Sequence, residues 1–223
     1  TDLDTSVSAC LSMAVDQTTP ASTCAWRLLW RRANRTGRLR VVALGDSLTF
    51  GAECNDGKLN IQDCSWSSRV ASWLRTEFSA ISTIDYLNAA VGGQSLHDSG
   101  MQQLTAQVGH DSISPPDIIF FDYLANEMAH LMSSRHGQNP YGLRDVERAY
   151  ESFIATVRRE APHTFLVAML HETHRYAGPD QNLQWQQRIG ARQPDSDMYE
   201  VFVDVIRGAL RQGGVATIDM DLA

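Results

Sequence analysis

From Leu39 onward, short apolar runs alternate with longer segments whose apolar positions recur at helical spacing. The pattern predicts strands over Leu39–Leu44, Thr83–Leu87, Asp117–Asp122, Thr164–Leu170 and Val215–Asp219. It predicts helices near Ser67–Phe78, Leu143–Ala161 and Asp197–Arg211, and a shorter one near Leu96–Val108. Pro115 and Pro116 break the chain before the third strand, and Pro162 before the fourth. Strands that are apolar on both sides and alternate with helices imply a parallel sheet covered on both faces. The simplest topology is a three-layer α/β/α sandwich with a flavodoxin-like parallel sheet of about five strands. Phe120, Phe121, Phe153 and Phe165 read as its core.

Residues 1–23 are polar and rich in Ser and Thr, and are expected to be loosely ordered. Trp26, Leu29, Trp30 and Ala33 then fall at helical spacing beside Arg27, Arg31, Arg32 and Arg35. Such a basic amphipathic helix either touches a membrane surface or partner, or docks its tryptophans on the domain. The chain thus divides into an arm with a short amphipathic helix (1–37) and one α/β domain (38–223). Composition is ordinary for a globular protein, with 43% hydrophobic and 20% charged residues. A net charge of −7 argues against a nucleic-acid binder. No apolar stretch approaches the ~20 residues of a membrane span. The first residue is Thr1 and no leader pattern follows, so a processed or partial chain is expected. Of the four cysteines, Cys54 and Cys64 bracket one polar loop, and Cys10 and Cys24 another. Neither spacing suits zinc. Bridged pairs would suit an extracytoplasmic protein, and free thiols a cytosolic one.

Chemistry in a sheet of this kind gathers beyond the carboxyl ends of the strands. The first strand runs into Gly45-Asp46-Ser47-Leu48, a glycine turn that presents a serine where a helix can begin. Asp46 or Ser47 would also serve simply as a helix cap. After the second strand comes Asn88 to Ser95 with the pair Gly92-Gly93, and after the third Tyr123-Leu124-Ala125-Asn126-Glu127. The fourth is followed by His171-Glu172-Thr173-His174, and the fifth runs into Asp219, Met220 and Asp221. A serine attacking an ester needs a general base and donors for the developing oxyanion. The N–H groups of Ser47 and Gly93 with the Asn126 amide would supply three such donors, with Asp46 in support. Trp185 and Tyr176 would either line a subsite or pack their own loop. His97, His110, His136 and His163 sit in polar contexts and read as solvated. Glu127/His130 and His171/His174 have a spacing open to metal ligation, but no third ligand is evident.

These blocks resemble the SGNH/GDSL hydrolases over roughly residues 38–222. Gly45 to Leu48 with Gly51 resembles the family's first block, Asn88 to Ser95 its second and Leu124 to Glu127 its third. The resemblance implies a serine esterase that needs no metal or organic cofactor, with Gly93 as the oxyanion glycine. It also implies a small-molecule, carbohydrate or lipid ester as substrate, with short acyl groups preferred. Leu124 stands where the third block has glycine, which would reshape the pocket floor, and Glu127 where it has aspartate. The family's Asp-x-x-His, whose histidine is the base, occurs nowhere in the 223 residues. It is expected beyond Ala223, with His171 or His174 as a displaced base the alternative. Two rivals to the esterase are a catalytically silent ligand-binding domain and a surface adaptor acting through Trp26–Arg35.

Overall fold

The computed structural model describes residues 21–51, 65–109, 114–134, 141–170 and 196–219. The apolar runs form β1 (Arg38–Gly45), β2 (Thr83–Asn88), β3 (Ile118–Asp122), β4 (Phe165–Leu170) and β5 (Ala216–Asp219). Their order in the sheet is β2-β1-β3-β4-β5, and each neighbouring pair is parallel. This is the flavodoxin-like order, whose switch point lies between β1 and β3.

Helices cover both faces. They are α1 (Ala21–Thr36), α2 (Ser47–Phe50), α3 (Trp66–Glu77), α4 (Met101–Val108), α5 (Leu124–Ser134), α6 (Leu143–Glu160) and α7 (Ser196–Gln212). Because side chains alternate along a strand, each central strand feeds two cores. Val42, Leu44, Ile119, Phe121, Leu166 and Ala168 pack with α4 to α7. Val41, Ile118, Phe120 and Val167 pack with α1 and α3. Phe121 stacks on Phe153 of α6 at 4.7 Å between ring centroids. The edge strand β2 has no such double cover, and its residues alternate between exposed and half-buried.

Three elements depart from expectation. Leu124–Ser134 is a helix, which was not among the helices expected from the sequence pattern. Its buried Leu124, Met128 and Leu131 face the core at helical spacing. Leu124 therefore fills the core instead of flooring a pocket. The segment from Leu96 begins with a π-helical turn over Leu96–Gly100 before α4. Finally, α1 already includes residues 21–23. It docks on the domain, with Trp30 stacked 4.3 Å from Phe78 and Trp26 5.4 Å from Phe165. Arg32 pairs with Asp117, whose carboxylate also accepts the Arg40 N–H at 2.7 Å. No helix among the described residues is long and apolar enough to cross a membrane.

A buried carboxylate ties α5 to the segment after β2. Glu127 is fully buried. One of its oxygens accepts the His97 N–H at 2.9 Å at the start of the π turn, and the other accepts the Tyr141 hydroxyl. Burial raises its pKa above the ordinary carboxylate value, while the Tyr141 hydroxyl and the N–H groups of His97 and Leu96 pull it back down. A carboxyl whose folded-state pKa is raised stabilises the fold most fully below its unfolded value. That contribution is lost as pH climbs through the folded value. Glu127→Gln removes the titration, so the stability of the variant relative to the parent should rise as pH climbs above the ordinary glutamate value of 4.5. Urea unfolding of both proteins at a series of pH values checks this. A difference that stays constant with pH would contradict it.

Candidate active site

β1 ends at Gly45, whose φ of +155° lies where side chains are rarely accommodated. A Cβ there would overlap the Thr49 side chain and the carbonyl oxygen of Asp122. The chain turns at once into α2, and Ser47 is the first helical residue. Asp46 is the N-cap, and its buried carboxylate accepts the Leu48 N–H at 2.8 Å. The capping role open to Asp46 in the sequence is therefore the one it fills. The Asp46 N–H donates to the Asp122 carbonyl at 3.2 Å, so the turn leans on the end of β3. Gly51, with φ of +109°, closes α2 by donating its N–H to the Ser47 carbonyl.

The segment after β2 folds over this turn. Val91 donates its N–H to the Gly45 carbonyl at 3.0 Å. Asn88 donates from Nδ2 to the Thr49 carbonyl at 3.0 Å and accepts the Ala90 N–H at 3.1 Å. Ser67, itself held by the Tyr86 hydroxyl at 2.7 Å, also donates to the Thr49 carbonyl. Gly92 then lies near the Gly45–Ser47 turn, since a methyl group on it would stand 3.7 Å from the Ser47 Cβ. Gly93 follows with φ of +77° and open space around it.

Asn126 sits in the first turn of α5. Asp122 accepts the Leu124 N–H at 3.2 Å at the start of this helix. Asn126 Nδ2 donates to the Gln94 carbonyl at 2.9 Å. The two residues flanking Gly93 therefore adjoin the other two segments, Gly92 within a methyl group's reach of Ser47 and Gln94 hydrogen-bonded to Asn126. Among the described residues no hydrogen bond occupies the N–H of Ser47 or of Gly93, and the Asn126 amide keeps a second N–H beyond the one given to Gln94. Ser47 is half-buried and Gly93 exposed, so solvent reaches both.

Other candidates have different surroundings. His130 Nε2 lies 3.0 Å from an Asp98 carboxylate oxygen, while Glu127 faces Tyr141 and the His97 N–H, so the two do not converge as metal ligands. The His97 ring is exposed yet stacks 4.5 Å from Tyr141. His171, His174, Tyr176, Trp185, Cys54, Cys64, His110 and His136 lie outside the described residues. The sequence reading missed Gln103 of α4, which contacts both Gly45 and Tyr123. It also missed the buried partner of Glu127, Tyr141.

Residues 41–194 match the model of the family described as GDSL-like Lipase/Acylhydrolase. No curated protein matches the sequence. Among solved structures, an alpha/beta hydrolase enzyme from the metagenome of Lake Arreo, Spain, superposes with a TM-score of 0.55 at 15% identity, covering 81% of this chain and 76% of that one. An acetylxylan esterase from Geobacillus stearothermophilus gives 0.54 at 13% identity, with 81% and 75% covered. The psychrotrophic esterase EstA from Pseudoalteromonas gives 0.50 at 13% identity, with 81% and 76% covered. At such identities the likeness is one of fold. A family match over more than half the chain, together with the strand–Gly-Asp-Ser-Leu–helix turn, shows that the protein belongs to the GDSL-like lipase/acylhydrolase family and is, at that level, an ester hydrolase.

Proposed function

We propose that Ser47 is the nucleophile of this hydrolase. The N–H groups of Ser47 and Gly93 and the side-chain amide of Asn126 would receive the oxyanion. The observation that carries this reading is the position of Gly93, between one residue within a methyl group's reach of Ser47 and another bonded to Asn126. A carbonyl carbon approached by the Ser47 hydroxyl would bring its oxygen toward donors that no protein group among the described residues occupies. Such preorganised donors stabilise charge that develops only in the transition state.

The steps follow from that placement. A histidine removes the Ser47 proton as Oγ bonds to the acyl carbon. The tetrahedral oxyanion collapses, the bond to the alcohol oxygen breaks, and the histidine returns the proton to the leaving alcohol. Water, deprotonated by the same base, then releases the acid from the acyl-serine. The base in this scheme is a histidine, and no hydrogen bond among the described residues ties one to Ser47. No step requires a metal or organic cofactor. Short acyl esters, including acetyl groups on sugars, are the substrate class we favour. An acetylxylan esterase shares the fold, and the exposed Gly92 and Gly93 leave the rim open.

In the full-length protein a fluorophosphonate probe should label Ser47, and Ser47→Ala should abolish both the label and hydrolysis of p-nitrophenyl acetate. Asn126→Ala, which removes one donor, should lower kcat about 10²–10³-fold. Labelling that survives Ser47→Ala, or an Asn126→Ala enzyme at parental kcat, would overturn the assignment. A full-length protein with neither label nor turnover would instead mark a silent ligand-binding domain.

A further inference from the structure

We propose that Gln103 is a positioning residue: its side-chain amide clamps the Gly45 peptide and so sets the register of Ser47 against the oxyanion donors. The proposal rests on Ser47 being the nucleophile. Gln103 Oε1 accepts the Gly45 N–H at 3.3 Å, and Nε2 donates to the Gly45 carbonyl at 3.4 Å. The Tyr123 hydroxyl donates to the same Oε1 at 2.7 Å. A single side chain thus joins the three segments that carry Ser47, Gly93 and Asn126. Gln103 follows the Gly92-Gly93 loop on α4, Gly45 is two residues before Ser47, and Tyr123 is three before Asn126.

The need for such a clamp follows from the sheet. The β1–β2 ladder ends at the pair Ala43 and Asn88, while on the other side β1 stays paired as far as Gly45 and Asp122. Beyond Asn88 the chain leaves the sheet to form the loop of Gly92 and Gly93. On the β2 side the Gly45 carbonyl still accepts the Val91 N–H at 3.0 Å, while the Gly45 N–H donates to Gln103 Oε1, and the same amide adds a second donor to the carbonyl. The orientation of the amide is determined, because the oxygen must face the Gly45 N–H and the nitrogen the Gly45 carbonyl. Tyr123, fully buried, holds that orientation. Burial, and then the charges of Asp46, Asp122 and Glu127, push its phenol far above the ordinary range, so it remains a donor. Gly100 leaves room for the Tyr123 ring, which a side chain there would crowd. A misplacement of about 1 Å at a reacting group can cost on the order of 10² in rate. A glycine turn is soft enough to need this constraint.

The test uses the full-length protein and two variants. Gln103→Met keeps the length and removes both polar contacts. Its kcat and fluorophosphonate labelling rate should fall about 10–100-fold with KM little changed. The Gly45 amide should also exchange its hydrogen at least about tenfold faster, because its acceptor is gone. Gln103→Glu provides a rescue that bulk packing would not: a protonated carboxyl can still donate to the Gly45 carbonyl, and an ionised one cannot. Its labelling rate relative to the parent should therefore approach unity at acidic pH and decline as pH rises. The neighbouring Asp46, Asp122 and Glu127 should hold the introduced carboxyl protonated to a higher pH than usual. The Gln103→Met ratio should stay flat with pH. Parental labelling by Gln103→Met, or a pH-independent ratio for Gln103→Glu, would overturn the positioning role while leaving Ser47 as nucleophile. If the parent itself fails to label, the nucleophile reading falls. Gly45 exchange then still decides the clamp, and an unchanged rate in Gln103→Met would refute it.

Discussion

A side chain cannot stand at residue 45 without displacing the end of β3 or the first turn of α2. Gly45 comes so close to the Asp122 carbonyl and to Thr49 that the Gly45–Ser47 turn is pressed onto the neighbouring strand. The rest of the site is arranged around that contact. β1 and β3 are the strands that flank the switch point, so the crevice opens where the chain order reverses. Asp46 then caps α2 by accepting the Leu48 N–H, and no hydrogen bond among the described residues takes up the N–H of Ser47.

The second constraint is the buried Glu127. A carboxylate inside a protein is costly unless hydrogen bonds replace its water. Here the replacements come from the N–H of His97 and the hydroxyl of Tyr141. Those partners belong to the π turn and to the residues entering α6, so one side chain locks α5 against the segment that carries Gly93. Asn126 lies immediately before Glu127, and its bond to Gln94 closes the same seam one turn earlier. Glutamate in place of the family's aspartate is thus understandable as an anchor, and leucine at 124 as part of the core beneath it.

The sheet was readable in the sequence because β1, β3 and β4 are buried on both faces, which forces uninterrupted apolar runs. α5 is harder to read, since Leu124, Met128 and Leu131 share one face but the polar Asn126-Glu127 pair interrupts the apolar run. Ser47, Gly93 and Asn126 could be named from block spacing alone. Their connection could not, because it passes through the Gly92 backbone and the Gln94 carbonyl, and backbone groups leave no trace in residue identity. Gln103 looks like any glutamine on a helix until the fold brings its side-chain amide to the Gly45 peptide. Tyr141 pairs with Glu127 across a distance that no local period encodes.

The most direct measurement is a crystal structure of the full-length protein after reaction with a small phosphonate. The expected result is phosphorus on Ser47 Oγ, with one phosphonyl oxygen within about 3 Å of the Ser47 N–H nitrogen, the Gly93 N–H nitrogen and Asn126 Nδ2. An adduct on another residue, or an oxygen that faces solvent away from Gly93 and Asn126, would contradict the convergence of the three segments on one oxyanion.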